Sequence, residues 1–200
     1  MSWLTYDIAF TKPGRNLIIR RAEVSVFVHL GSFAMASLES DEVTDQRNVR
    51  GRGVGGHKEG ADIIGVKNPE EGTLGAHFPS VIKRVCQITP AHLEVSGTVG
   101  DVPNLLGMVS LTGLGAAVCG VDYVKVGLFE VHRADEVIFL LRKVNQALKG
   151  WDLRIKVIAA GYADGHKVAS LAPLLVPDVV AEADADRCLL DTVCKGEGIS

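Results

Sequence analysis

Short apolar runs entered through a Gly or Asp turn recur along this chain. Gly60-Ala61-Asp62 leads into Ile63-Ile64-Gly65-Val66-Lys67, and Gly120-Val121-Asp122 leads into Tyr123-Val124-Lys125-Val126-Gly127. A looser copy runs from Ala183-Asp184-Ala185-Asp186 into Arg187-Cys188-Leu189-Leu190-Asp191. Runs this short, apolar without alternation, read as parallel strands buried on both faces. Two more lie between them: Leu93 to Val99, ending at Gly100-Asp101, and Ile155 to Ala160, ending at Gly161-Tyr162-Ala163-Asp164. The strands recur about every thirty residues, the length of one βα unit. Helical spacing fills the gaps over 78–85, 110–119, 134–148 and 177–183.

A regular βα alternation predicts a parallel sheet, either a closed barrel or a doubly wound open sheet. Gly51-Arg52-Gly53-Val54-Gly55-Gly56 matches the G-x-G-x-x-G pattern of dinucleotide-binding open sheets. A polar, charged stretch precedes it where a strand is needed, and no helix follows, so it reads as a surface loop. Counting either Val24 to Leu30 or Ala36 to Leu38 as a first strand gives six strands, and a TIM (β/α)8 barrel needs eight. The expectation is an α/β chain of TIM-barrel type that lacks the last two βα units. Residues 1–34 form an unassigned N-terminal extension and 35–200 a partial barrel carrying the catalysis. Such a sheet exposes two parallel edges. A homo-oligomer would cover them, and a monomer is expected to be poorly stable or inactive.

Reactive groups in parallel α/β folds gather at the C-terminal ends of strands. Charged residues sit there in register: Lys67, Asp101, Lys125, Asp164, and Asp191 with Lys195. A lysine inside Val-Lys-Val is costly to bury unless it is paired or neutralised. Three lysines around one mouth repel one another and push at least one amine toward its neutral, nucleophilic form, able to form a Schiff base with a carbonyl substrate. Their positive field also favours a phosphorylated one. The competing reading of each lysine alone is a snorkelling or Asp-paired side chain. His77, His92, His132 and His166 are scattered singly and read as surface residues, His166 beside Asp164 being the weakest such case.

Composition narrows the rest. The 200 residues are 47% hydrophobic, enough for one core and too few for two ordinary domains. A formal charge of −3 without basic runs argues against nucleic acid or a membrane surface as partner. Cys86, Cys119, Cys188 and Cys194 have no metal-ligand spacing, which suits reduced thiols and a cytoplasmic location. Arg20-Arg21 followed by Val24 to Leu30 is too short, and too far from the N-terminus, for a secretory signal.

Several segments are familiar as a set: 60–69 (Gly-Ala-Asp-Ile-Ile-Gly-Val-Lys-Asn-Pro), 72–76, Thr98-Val99-Gly100-Asp101-Val102-Pro103, 123–128, 159–164, and Leu190-Asp191-Thr192 with Lys195. Together they resemble (5-formylfuran-3-yl)methyl phosphate synthase, the furan-building enzyme of methanofuran biosynthesis, over roughly residues 60 to 196. The resemblance implies a barrel lyase that joins two molecules of glyceraldehyde 3-phosphate with loss of one phosphate and water. By position it makes Lys67 the Schiff-base lysine and Lys125 the proton-transferring lysine. Asp191 and Lys195 become supporting groups, and Asn68, Asp101 and Asp164 substrate contacts. It calls for no metal and no cofactor. Gly65 stands where the family carries an aspartate, on the same strand face as Lys67. The stretch 45–58 also replaces the expected first helix with glycine and charge. Two alternatives stay open: a truncated non-catalytic remnant or phosphosugar-binding module of the same fold, and a Schiff-base aldolase for another phosphosugar.

Overall fold

The computed structural model describes residues 4–11, 16–24, 63–68, 71–101 and 105–193. Seven strands form one sheet: β1 (Leu4–Thr11), β2 (Asn16–Val24), β3 (Ile63–Val66), β4 (Glu94–Thr98), β5 (Tyr123–Gly127), β6 (Lys156–Tyr162) and β7 (Arg187–Asp191). Four helices connect the later strands: α1 (Pro79–Ile88), α2 (Leu106–Val118), α3 (Ala134–Trp151) and α4 (Val176–Glu182). The strand order is β2-β1-β7-β6-β5-β4-β3.

This arrangement corrects the expected TIM (β/α)8 type. Strands β3 to β7 are parallel, in chain order, and form a half-barrel, but the sheet does not close as a (β/α)8 barrel. The outer edge of β7 is not left open either. β1 pairs with it antiparallel, Ile8 opposite Cys188, and β2 pairs antiparallel with β1. A run of βα units has the same local pattern in open and closed sheets; closure depends on what pairs at the edges, and here an antiparallel hairpin takes one of them. β2 comes within 8 Å of β3, Cα to Cα, without a ladder between the two. The first strand expected at Val24 to Leu30 or Ala36 to Leu38, and the glycine-rich loop at 51–56, lie outside the described residues apart from Val24, the last residue of β2.

Strand alternation sorts the core into two layers. On β5, Val124 and Val126 pack with Val137, Leu141 and Leu148 of α3 on the helix-covered face. Tyr123 points the other way and joins Ile63, Leu74, Ile158, Ala160, Tyr162 and Leu189. On α3 the buried positions Val137, Ile138, Leu140, Leu141, Val144 and Leu148 follow the three-and-four spacing of one helix face. Asp135 and Glu136 in its first turn and Lys149 in its last complement the helix dipole. α2 is apolar nearly all round, with Met108, Leu111 and Val118 exposed on its outer side.

The Asp of the recurring phrase acts at the N-terminal ends of the strands. Asp122 accepts a hydrogen bond from the Val95 amide at 2.8 Å, and its own amide donates to the Val95 carbonyl at 2.8 Å. Asp186 repeats this clasp on Val157, at 2.8 Å and 3.0 Å. Each aspartate thus satisfies backbone groups where the neighbouring strand begins, the reason an acidic residue precedes a buried run.

The first inward side chains of four strands meet at the same end. The Tyr123 hydroxyl donates to Glu94 Oε2 at 2.6 Å, and Lys156 Nζ reaches Glu94 Oε1 and the Tyr123 oxygen at 3.0 Å each. Lys156 Nζ and the Arg187 guanidinium lie 4.7 Å and 4.8 Å from the centre of the Tyr123 ring. Partial burial opposes ionisation of Glu94, but the bonds from Tyr123 and Lys156 outweigh it and hold its carboxyl below the ordinary value.

Two predictions come from this packing. A carboxylate whose pKa is depressed in the folded state supports folding fully above its ordinary value of 4.5, and that support is lost as pH falls below it. Melting temperatures followed from pH 6 to pH 3 should therefore fall less steeply for Glu94→Gln than for the unsubstituted chain. Equal slopes would mean that the Glu94 cluster carries no pH-dependent stability. A β-carbon at Gly161 would lie 2.6 Å from Cγ2 of Val176, a stiff side chain at the start of α4. Gly161→Ala should cost about 1–3 kcal/mol in urea unfolding by pushing α4 off β6.

Candidate active site

At the opposite, C-terminal end of the parallel strands the inward positions turn polar. Lys67 is the first residue after β3, and by alternation it follows Ile63 and Gly65 onto the inward face. It is 4% exposed, and its ammonium stands 3.4 Å from Asp191 Oδ2 at the end of β7. The other Asp191 oxygen accepts from the Thr192 amide at 2.8 Å, so the carboxylate is held from both sides. An ion pair this buried is kept only by good geometry, and removing one partner strands a charge in the interior.

Lys125 lies in the middle of β5, 3% exposed, on the inward face between Tyr123 and Gly127. Its ladder neighbours are Thr98 on β4 and Ile158 on β6. Thr98 donates to the Gly75 carbonyl at 2.6 Å, which fastens the turn that follows Lys67 over the strand ends. Asn68 closes the same turn through its backbone, its amide donating to the Gly75 carbonyl at 2.9 Å.

Asp101, just past β4, uses both oxygens within the protein. Oδ1 accepts from the Tyr162 hydroxyl at 2.6 Å, and Oδ2 accepts from the Leu74 amide at 3.1 Å. The turn can lie this close because Gly72 adopts φ 122°, and a β-carbon there would stand 2.8 Å from Asp101 Oδ2. Asp164 Oδ1 accepts from the Val193 amide at 2.9 Å, tying the loop after β6 to the chain beyond β7.

The structure thus brings Lys67, Lys125, Asp101 and Asp191 to one inward-facing end, with Asn68 and Asp164 at its rim through their backbone and loop contacts. Lys195 lies outside the described residues. Tyr162 joins the group and was not singled out from sequence. It ends β6, is fully buried, and pairs with Asp191 in the β6–β7 ladder. Its one sequence signal is inward parity on a strand whose end already carries Asp164. Burial, then the charges of Asp101, Asp191 and Asp164, push the Tyr162 phenol far above its ordinary range.

His92, His132 and His166 are exposed and His77 half-buried. Cys86, Cys119 and Cys188 are free thiols, and burial, with the charges of Asp122 and Cys119 adding to it, pushes Cys86 up to about 11, away from the reactive thiolate. Among the described residues no group of three or more His, Cys, Asp or Glu is placed to hold a metal ion, and no helix is long and apolar enough to cross a membrane.

Comparison with known proteins converges on one family. A family model described as 4-HFC-P synthase matches residues 56–199. The (5-formylfuran-3-yl)methyl phosphate synthases of Methanopyrus kandleri and Methanocaldococcus jannaschii are each 48% identical over 136 residues, 68% of this chain. That of Methanothermobacter thermautotrophicus is 49% identical over the same length. The matches take in 57%, 58% and 57% of those relatives, so the chain spans well under two thirds of their length. The matched span contains both buried lysines and Asp191, the carboxylate beside Lys67, and the chain belongs to the 4-HFC-P synthase family.

Proposed function

We propose that this chain is a lysine-dependent lyase that condenses two molecules of glyceraldehyde 3-phosphate to (5-formylfuran-3-yl)methyl phosphate, the furan precursor of a methanofuran-type carrier. The observation that supports it most is the Lys67–Asp191 pair, 3.4 Å apart and almost fully buried, with buried Lys125 on the same inward face.

In this reading Lys67 passes a proton to Asp191 and its neutral amine attacks a substrate carbonyl. Loss of water from that adduct, with Asp191 returning the proton, leaves an imine on Lys67. Lys125 removes a proton from the neighbouring carbon, and the enamine so formed adds to the second aldehyde. Two triose phosphates losing one phosphate and two waters account for every atom of the product, so no oxidant or reductant enters. Lys195 adds positive charge for substrate phosphate. Asp101 at the inward end and Asn68 and Asp164 at the rim contact substrate.

Trapping tests the reading directly. The folded chain, checked by circular dichroism, is incubated with glyceraldehyde 3-phosphate and borohydride, and the added mass is located by peptide mass spectrometry. The expected adduct is on Lys67 and absent from Lys67→Ala. Lys125→Ala should keep the adduct and lose about 10²- to 10⁴-fold in furan formation, followed by ultraviolet absorbance. A folded chain that gives no adduct would favour a non-catalytic remnant or phosphosugar-binding module of the same fold.

A further inference from the structure

We propose that Tyr162 is a positioning residue for this chemistry: its hydroxyl clamps Asp101, and Asp101 holds the turn that follows Lys67. The inference rests on the lysine mechanism proposed above and adds a residue to it.

The clamp is a continuous run of contacts from β6 to β3. Tyr162 donates to Asp101 Oδ1 at 2.6 Å, and Asp101 Oδ2 accepts from the Leu74 amide at 3.1 Å. The Leu74 carbonyl accepts from the Gly100 amide at 3.0 Å, so the turn is bonded to the end of β4 in both directions. The same turn leads back through Asn68 to Lys67. On its other side Tyr162 is fixed by Phe129, edge-on at 6.3 Å between ring centres, and by its ladder pairing with Asp191, the partner of Lys67.

Gly127 gives an independent view of the same clamp. It lies two residues beyond Lys125 on the inward face, and a β-carbon there would stand 2.8 Å from Asp101 Oδ1, 3.0 Å from Leu74 Cδ1 and 3.1 Å from the Tyr162 oxygen. All three members of the clamp therefore converge on the space next along the strand from Lys125. The phenol is also fixed in role. Burial and the surrounding carboxylates keep it protonated, so it serves as a permanent donor and not as a proton shuttle.

The test compares the unsubstituted chain with Tyr162→Phe, which removes only the hydroxyl, and with Gly127→Ala, which leaves the hydroxyl and displaces the clamp. Each is measured for Lys67 trapping, kcat and KM for furan formation, and melting temperature. Tyr162→Phe should still trap substrate on Lys67 with KM little changed, while kcat falls by about 10²-fold, the scale of a misplacement of 1 Å. Gly127→Ala should lower kcat in the same direction. If Tyr162→Phe melts as the parent does and keeps its kcat, the clamp has no part in the reaction. The same holds if Tyr162→Phe does not fold and Gly127→Ala retains full kcat. Absence of any Lys67 adduct in the unsubstituted chain would sink the amine mechanism itself, and the clamp with it.

Discussion

A lysine and an aspartate from opposite sides of a half-barrel meet in its interior, and that contact constrains the sheet around it. Lys67 follows β3 and Asp191 ends β7, the two outermost parallel strands, yet their charged atoms are 3.4 Å apart. Laid flat, strands four places apart would be about 19 Å from each other. Neither side chain is long enough to bridge that. The pair therefore exists only because the sheet curls, and the curl gathers both buried lysines with Asp101 and Asp191 at one inward-facing end. The interior dielectric then makes the pairing compulsory, since either charge alone would be far more costly to bury.

The two ends of the inward face divide the work. At the N-terminal end Glu94, Tyr123, Lys156 and Arg187 lock the starts of four strands through an ion pair, a shared hydroxyl and two cations near one ring. The Asp122 and Asp186 clasps fasten the same end through the backbone. At the C-terminal end the polar groups are instead ranged around two lysines, and the bonds that fix them run through a turn. This is the usual division of a parallel α/β sheet, with stability at one end and chemistry at the other.

Much of this was legible in the residues. Each of the five parallel strands falls at or within an apolar run, because a strand buried on both faces needs one. Lys67 and Lys125 stood out because charge inside such a run demands an explanation. Other features depend on partners far along the chain. Tyr162 looks like any inward aromatic until its hydroxyl is seen to meet Asp101, 61 residues away. The recurring aspartates announced strand starts, but their backbone clasps appear only once neighbouring strands are side by side. The (β/α)8 expectation failed for the same reason: repeating units specify which way each strand runs and leave the edges of the sheet undetermined. The Leu4–Val24 hairpin, given no element from sequence, supplies that missing information at one edge.

That hairpin limits what else the sheet can accept. With Tyr6 to Ala9 paired to Arg187 to Leu190, the outward amides and carbonyls of β7 are engaged by an antiparallel neighbour. A strand has one outward row of such groups, and antiparallel and parallel partners use it in different registers. The hairpin and any further βα unit seeking that side of β7 are thus mutually exclusive occupants, and the sheet can lengthen there only after the hairpin has let go.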